Sequence, residues 1–353
     1  MELYNEEIPA GAHAAVAMSG GVDSSVCAAL LLKKGVHVTG ITMNQKPSGQ
    51  DKDIADAKAV CDLLGIEHKV INIVDDYHKF LQREVREVFA RGETPNPCIL
   101  CNQMIKFGLF FNRFLAESEL FPENTYIASG HYARIVRDGF GDYHIAKAVF
   151  LEKDQSYFLY RLSQKQLSRL RFPLGEMIKP EVRRLAAEFG LPTQNKPDSQ
   201  DFCLGKIDLR PVQSDAVDIY DTQGNFLAPG KAIANYTIGQ RRGLGVTSAQ
   251  PLFVVKIDKA QKRVIVGEED LLYQAKCTLR DTVFTPHQSF PIRGKVRIRS
   301  MGKESPATIE KDTDGKVLVT FEEKQRAITP GQSAVIYADD VVLGGGFIGE
   351  TVA

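Results

Sequence analysis

The sequence predicts an α/β plus β protein: an N-terminal parallel-sheet domain, a small central domain and a C-terminal β-barrel. Three observations predict it. Between Ala14 and Arg91, strand-like and helix-like patterns alternate at the spacing of βαβ units. A glycine- and serine-rich turn, Met18-Ser19-Gly20-Gly21-Val22-Asp23-Ser24-Ser25, joins the first strand pattern to the first helix pattern. From about Gly224 the chain holds only short alternating strands, separated by turns such as Asp314-Gly315 and Pro330-Gly331.

The elements follow in order. Ala14 to Ala17 is small and apolar, a buried strand. Val26 to Lys34 is rich in Ala and Leu and stops at Gly35, a helix with a C-terminal signal. Val36 to Met43 alternates as a second strand, and Asp53 to Leu64 is a helix ended by Gly65. Lys69 to Val74 is a third strand, and Asp75 or Asp76 can cap the helix that runs to Arg91 and stops at Gly92. Tyr126 to Tyr132 reads as a further sheet strand ending at the active edge. The β region has strands at Phe253–Ile257, Arg263–Val266, Gly294–Arg299, Val317–Phe321 and Ser333–Tyr337, and Gly344 to Gly346 reads as a bend.

Length and composition set bounds. The 353 residues fit two or three domains and can bury a sizeable core. With 43% apolar and 25% charged residues the chain has the composition of a soluble globular protein. No apolar run is long enough to span a membrane, and Met1 to Gly11 is acidic, without a basic-then-apolar layout. The expectation is a cytoplasmic protein with no membrane partner. The six cysteines, two of them in a C-x-x-C, suggest metal or redox chemistry more than a disulfide framework. A Cys₄ zinc site is not expected, because no second C-x-x-C exists. The formal net charge is zero, yet cations crowd Arg161 to Arg184 and Arg280 to Lys303. Such patches can bind a phosphate backbone, or be solvated faces.

The turn has the residues an anion site needs. Gly20 and Gly21 permit a tight fold and close approach, the serines add hydroxyl donors, and the helix start supplies unpaired N–H groups. Asp23 would repel phosphate, and a place beside Mg²⁺ or in helix capping resolves that. The P-loop lysine is missing, so this is not the G-x-x-x-x-G-K-[ST] motif. Ligands of parallel sheets sit beyond the strands' C-terminal ends, where this turn and Met43 both fall; Met43 can face an adenine ring or serve as core.

Three further stretches carry chemistry. In Thr94-Pro95-Asn96-Pro97-Cys98-Ile99-Leu100-Cys101-Asn102 two prolines predict a rigid loop, with a helix starting near Gln103 and thiols at its N-terminus, where thiolate is favoured. Gly130 allows close approach of a nucleotide, and His131 can contact phosphate or substrate. Lys153-Asp154-Gln155-Ser156-Tyr157-Phe158-Leu159-Tyr160 mixes charge, amide and aromatic groups, suiting a contact surface. Lys196-Pro197-Asp198-Ser199-Gln200-Asp201-Phe202-Cys203 presents a later cysteine.

The turn resembles the SGGxDS loop of the ATP pyrophosphatases. In order, SGGVDSS, TPNPCILCN, SGHY with KDQSYFLY, and KPDSQDFC together resemble the tRNA-specific 2-thiouridylase family, as do Tyr236 to Gly245 and Thr329 to Ala334. The resemblance spans nearly the whole chain. It implies a Rossmann-like, adenine nucleotide alpha hydrolase-like domain at 1–160, a tRNA-contacting central domain at 161–275 and a β-barrel at 276–353. Residue by residue it implies that Ala17, Met18, Ser19, Gly20, Gly21, Val22, Asp23, Ser24, Met43 and Gly130 bind ATP. Cys101 matches the family's nucleophile, and Cys203 the cysteine that carries sulfur as a persulfide. Asn96, Pro97 and Cys98 match positions near the target base, while His131, Lys153, Asp154, Gln155, Arg299, Ser300 and Gln332 match tRNA contacts.

The implied activity is ATP- and Mg²⁺-dependent transfer of sulfur to C2 of the wobble uridine of tRNA, with a cysteine desulfurase or sulfur-relay protein as persulfide donor. No protein-bound metal site is implied. Two alternatives stay open: a [4Fe–4S] cluster on Cys98, Cys101 and Cys203 that holds the transferable sulfur, and an inactive RNA-binding paralogue. Two departures mark this chain: Cys98 stands where many family members have Asp, and the stretch after Cys203, through Arg210 and Asp218, is short.

Overall fold

Small side chains at Ala14, Ala15, Val16 and Ala28 let a strand and a helix approach closely, and all four are buried. This pair begins the fold of the computed structural model, which describes residues 3–46, 49–118, 120, 124–198 and 216–352. The chain divides into two compact units: Met1–His78, Cys98–Ile207 and Asp340–Val342 in the first, and Lys79–Pro97, Asp208–Asp339 and Leu343–Ala353 in the second.

Strands of the first unit are β1 (Leu3–Asn5), β2 (His13–Ala17), β3 (His37–Asn44), β4 (Glu67–Asn72), β5 (Thr125–Ser129), β6 (Ala133–Asp138), β7 (Tyr143–Lys147) and β8 (Leu170–Arg171). Their parallel sheet has the order β4-β3-β2-β5-β8. Ala17 at the end of β2 pairs with Ile41 of β3 and Ser129 of β5. The chain order reverses between β2 and β5, so the crevice beyond their C-terminal ends is the ligand position of such a sheet. Antiparallel β6 and β7 form a hairpin on which β1 adds an edge.

Helix α1 (Val22–Lys33) covers β2, and α2 (Asp51–Leu64) ends at Gly65, which takes the left-handed conformation at φ 66°. Then α3 (Val74–Leu81) runs through a π-helical turn, Gln82–Arg86, into α4 (Glu87–Ala90). Its first N–H is bonded by Asn72 Oδ1 at 3.1 Å, while Asp75 and Asp76 lie inside the first turn and do not cap it. Next, α5 (Pro97–Leu100) continues as a π-helix over Cys101–Phe110 and then as α6 (Phe111–Ala116). The short α7 (Gln164–Leu167) and α8 (Lys179–Glu188) complete the first unit, whereas α4 belongs to the second.

The helix carrying the C-x-x-C therefore starts at Pro97, not near Gln103. Proline at a first helical position loses only an N–H that has no partner there, and its fixed φ already suits the helix. Both cysteines are helical, and Cys101 opens the π segment.

The second unit holds β9 (Ala216–Tyr220), β10 (Phe226–Ala232), β11 (Phe253–Asp258) and β12 (Arg263–Gly267), a small sheet ordered β10-β9-β12-β11. It is the expected small central element, closed over Val217, Ile219, Val254, Val264 and Val266. It also holds β13 (Tyr273–Phe284), β14 (Ile292–Arg297), β15 (Ser305–Lys311), β16 (Val317–Arg326), β17 (Ser333–Ala338) and β18 (Val341–Val352). Pairing runs β13-β16-β15-β14-β17 and returns through β18 to β13, a closed antiparallel barrel around Ile309, Val319, Ala334, Ile336 and Ile348. Gly344, predicted as a bend, lies within β18 at φ 148°, and a Cβ there would fall 2.3 Å from the Val283 carbonyl oxygen.

The two cationic stretches differ in outcome. In Arg161 to Arg184, Arg171 and Lys179 are buried, and Arg171, Lys179, Arg183 and Arg184 pair with Glu6, Asp23 and Asp198, Asp198, and Glu188, while Lys165 is exposed. In the other stretch Arg293, Lys295, Arg299 and Lys303 are exposed.

Candidate active site

The serine- and glycine-rich turn lies at the reversal point of the sheet. Met18 still belongs to the strand register, its N–H donating to Ile41 O at 2.8 Å and its carbonyl accepting from Thr42 Oγ1 at 3.0 Å. Gly20 then turns the chain at φ 72°, and a Cβ there would fall 2.4 Å from the Asp53 carbonyl oxygen. Conformation and space both demand glycine. Helix α1 starts directly after Gly21, with no side chain capping its N–H groups.

The serines brace the turn from within. Ser24 Oγ donates to Gly21 O at 3.1 Å and accepts from Ser19 N at 3.2 Å. Ser25 Oγ donates to the same carbonyl at 2.8 Å and accepts from Thr193 Oγ1 at 3.0 Å. The uncapped N–H groups and the partial positive charge of the helix end then face the crevice, an arrangement suited to phosphate.

Asp23 does not cap the helix. Its Oδ1 accepts from Lys179 Nζ at 2.6 Å and from Tyr132 Oη at 3.0 Å. Lys179 offsets the charge that would repel phosphate, and the neutral Tyr132 phenol adds a hydrogen bond. Asp198 is the hub of the same cluster, bound by Lys153 at 2.8 Å, Lys179 at 2.9 Å and Arg183 at 2.6 Å. Burial raises the Asp198 carboxyl, but hydrogen bonds and charge from Lys153 and Lys179 outweigh it and hold the pKa at about 2. Burial, and then Asp23, push the Tyr132 phenol up, so it stays a donor. Lys196 Nζ donates to Gly20 O at 2.9 Å and pairs with Asp56, with Asp53 at 3.8 Å. Sequence reading passed over Lys179, Arg183, Lys196 and Asp198 as site members, although KPDSQDFC contains two of them.

Gly130 follows β5 and touches the turn directly. A Cβ there would fall 2.7 Å from Asp23 C and 2.8 Å from Ser24 N, so the turn's own backbone fills the space that sequence reading reserved for a nucleotide. His131 Nδ1 lies 2.6 Å from Ser129 Oγ, and its Nε2 lies 3.5 Å from Lys106 Nζ. Phe107 and Phe172 pack beside the ring at 5.4 and 5.5 Å. Burial, then the Lys106 charge, lower the imidazole pKa well below its ordinary value, so His131 is neutral. An ammonium can only donate, so Nε2 accepts and Nδ1 donates to Ser129.

The motif after β7 braces this edge. Gln155 Oε1 accepts from Tyr132 N at 3.0 Å, and Asp154 accepts from Ala148 N at 3.1 Å and Ser156 Oγ at 2.8 Å. Asp154 and Gln155 thus hold the loop that carries Lys153. Met43, half-buried at the end of β3, gives its carbonyl to Gln50 Nε2 at 2.6 Å.

Cys98 is partly exposed and Cys101 is buried at 5% exposure. Their helix is fixed by Asn102 Nδ2 donating to Phe158 O at 3.3 Å, and by Gln166 Nε2 donating to Gln103 O at 2.8 Å and Phe107 O at 3.0 Å. Other thiols are chemically quiet: burial pushes Cys61 up to about 11 and Cys277 up to about 12, and raises Cys27 further. Cys203 lies outside the described residues.

The first unit therefore brings together Ala17 to Ser24, Gly130, His131 and Lys153 to Gln155. In the second unit, Gln332 Nε2 donates to Thr94 O at 3.0 Å and Pro95 O at 3.3 Å, holding the segment of Asn96 and Pro97 on the barrel. Arg299 and Ser300 follow β14, with Arg299 exposed. Among the described residues, no group of three or more His, Cys, Asp or Glu side chains could hold a metal ion.

Comparison with known proteins agrees with this layout. The family described as tRNA methyl transferase HUP domain matches residues 12–206, its PRC-barrel domain 210–268, and an aminomethyltransferase beta-barrel domain 274–348. A protein named tRNA-specific 2-thiouridylase MnmA from Caldicellulosiruptor saccharolyticus is 41% identical, covering 94% of this chain and 97% of its own. One of the same name from Syntrophotalea carbinolica is 43% identical, over 95% and 98%. Among solved structures, NMN synthetase from Francisella tularensis is similar at a TM-score of 0.34 and 20% identity, over 54% of this chain and 67% of that one, a likeness too low to carry an argument. With a phosphate-suited turn at the reversal point of a parallel sheet, a C-x-x-C at the start of a helix and relatives matching over nearly the whole chain, the chain belongs to the tRNA-specific 2-thiouridylase family.

Proposed function

We propose that the protein transfers sulfur to C2 of the wobble uridine of tRNA, in the cytoplasm and at the expense of ATP. The observation that carries the reading is the turn Ser19 to Ser25, braced by its own serines and aimed with α1's uncapped N–H groups at the crevice. Around it Lys179 pairs with Asp23 and the neutral Tyr132 phenol donates to it, so a polyphosphate meets no bare carboxylate there.

The chemistry needs two stages because the C2 oxygen of uridine is a poor leaving group. In the first, that oxygen attacks the α-phosphorus of ATP, an O–P bond forms and pyrophosphate leaves. In the second, the terminal sulfur of a Cys203 persulfide attacks C2 and AMP departs with the former O2. The thiolate of Cys101 then attacks the Cys203 sulfur, the S–S bond to the transferred sulfur breaks, and 2-thiouridine is released. The resulting Cys101–Cys203 disulfide needs two electrons from an external thiol reductant. The persulfide sulfur comes from a cysteine desulfurase or a sulfur-relay protein. The wobble base is accessible because it lies in an anticodon loop and can be splayed out.

Mg²⁺, when bound, supplies charge neutralisation on the phosphates. The described side chains offer it no three-ligand site, so it is expected to arrive with the nucleotide. Cys98, at the start of the same helix as Cys101, is assigned to the target base because its position matches the family's positions near that base. Neither the cluster-dependent route nor an inactive RNA-binding paralogue is favoured by relatives that bear the 2-thiouridylase name.

The test is mass spectrometry of nucleosides from unmodified tRNA incubated anaerobically with ATP, Mg²⁺ and a persulfide donor. 2-Thiouridine should form, should need ATP, and should vanish with Cys101→Ala and with Cys203→Ala. Turnover by Cys101→Ala would remove the assigned roles. A signal that tracks iron and acid-labile sulfide in the purified protein would favour the cluster instead.

A further inference from the structure

We infer that Lys106 binds phosphate in the nucleotide site, its ammonium held by His131 toward the group that the Ser19–Ser25 turn receives. The inference rests on the reading of that turn as the nucleotide site. Neither the sequence motifs nor the resemblance assigns Lys106 a role.

Position comes first. His131 directly follows Gly130, whose backbone lies against Asp23 and Ser24. Lys106 Nζ reaches His131 Nε2 from the helix of Cys101, so the lysine lies between the cysteine helix and the phosphate edge of the sheet. The winding of that helix matters. At 3.6 residues per turn, residues five apart point about 140° away from each other. The i→i+5 bonding of the π-helix brings such residues back to within about 50°. Cys101 and Lys106 are five apart in the π segment Cys101–Phe110, so both face the same side.

Charge accounting then singles Lys106 out. The other cations around the turn each have a carboxylate partner: Lys179 has Asp23 and Asp198, Lys153 and Arg183 share Asp198, and Lys196 has Asp56. Lys106 forms no ion pair with any described carboxylate, and its one polar partner among the described residues is a neutral imidazole. Phe107 and Phe172 wall that imidazole, and Lys106 itself is half-buried. A half-buried cation with no carboxylate partner among the described residues is open to an anion that arrives with the substrate. The group that fits is a phosphoryl oxygen. Negative charge builds on the α-phosphoryl group as uridine O2 displaces pyrophosphate, and a fixed cation there favours that step.

The experiment compares the full-length protein with Lys106→Met, which keeps the stem and removes the charge, and Lys106→Arg, which keeps the charge. ATP affinity is measured by calorimetry without RNA, pyrophosphate release with tRNA, and tRNA affinity at several salt concentrations. Lys106→Met should weaken ATP binding roughly ten- to a hundredfold, the usual loss for a charge-assisted hydrogen bond. It should leave tRNA affinity and its salt slope unchanged, and Lys106→Arg should recover most of the loss. Circular dichroism checks folding, and Lys106→Gln replaces Lys106→Met if the latter does not fold. Unchanged ATP affinity and pyrophosphate release would overturn the inference. So would a fall in tRNA affinity and salt slope at unchanged ATP binding, which would make the ligand an RNA phosphate. A wild-type protein that binds no ATP would instead overturn the reading of the turn, a failure visible before any variant is made.

Discussion

Asp198 illustrates how one residue can organise the charge around a phosphate site. Three cations converge on it, and two of them, Lys153 and Lys179, overcome the effect of burial to hold its pKa at about 2 against an ordinary 3.8. Because the folded value is depressed, the stability it contributes is present above the unfolded value and lost as pH falls from 3.8 toward 2. Removing Lys179 takes away one of the two partners that lower it. Carboxyl NMR titration of Lys179→Ala should show the Asp198 midpoint moved up toward 3.8, with acid unfolding starting at higher pH than in the parent. An unmoved midpoint would mean that Lys153 and Arg183 suffice. The same substitution bares Asp23, whose Oδ1 would keep, among the described residues, only the Tyr132 phenol. Gly130 works differently: its value is that it occupies no space, since the turn's backbone stands where a side chain would be.

At the scale of the element, the ten-residue π-helix Cys101–Phe110 is the least ordinary piece of the fold. Runs of this winding are rare because their bonding is poorer than that of an α-helix, and they persist where something else holds them. Here Gln166 does so, bonding the Gln103 and Phe107 carbonyls at once while its own side-chain oxygen completes a capping box with Ser163. Gln166→Ala should cost about 1–2 kcal/mol in denaturant unfolding, the net worth of two partly buried hydrogen bonds. Amide exchange at residues 103–110 should quicken while that of β2 stays slow. Equal protection in parent and variant would show that the winding does not depend on this brace. Proline 97 at the helix start, and Gly65, Gly92 and Gly35 at helix ends with positive φ, follow ordinary rules for helix termini.

At the scale of the whole molecule, a chain of zero net charge that acts on RNA must hold its phosphate contacts locally. In the stretch Arg161 to Arg184, Arg171, Lys179 and Arg183 are spent on internal ion pairs, whereas Arg293, Lys295, Arg299 and Lys303 stay exposed, and no described carboxylate pairs with any of the four. Arg299→Ala should weaken tRNA binding alike for modified and unmodified tRNA, and lower the slope of log K against log salt by roughly 0.7–0.9, one phosphate contact. An unchanged slope would take Arg299 off the RNA surface.

The sequence by itself determined the fold class and the family. Strand and helix periodicity, the glycine turn and the run of short strands depend on local pattern, and each reappears: His13–Ala17 and His37–Asn44 as parallel strands, Val22–Lys33 as the helix after the turn, and Ser333–Ala338 as a barrel strand. Only the tertiary structure decided which charges meet. Lys179 stands 156 residues from Asp23 and Lys196 176 from Gly20, and no local pattern records such pairings. It also decided that Pro97 starts a helix where two prolines had predicted a loop, and that Gly130 makes room for a neighbouring backbone. Periodicity reports which side of an element is buried; the partner on that side is set by how the sheet brings distant strand ends to one edge.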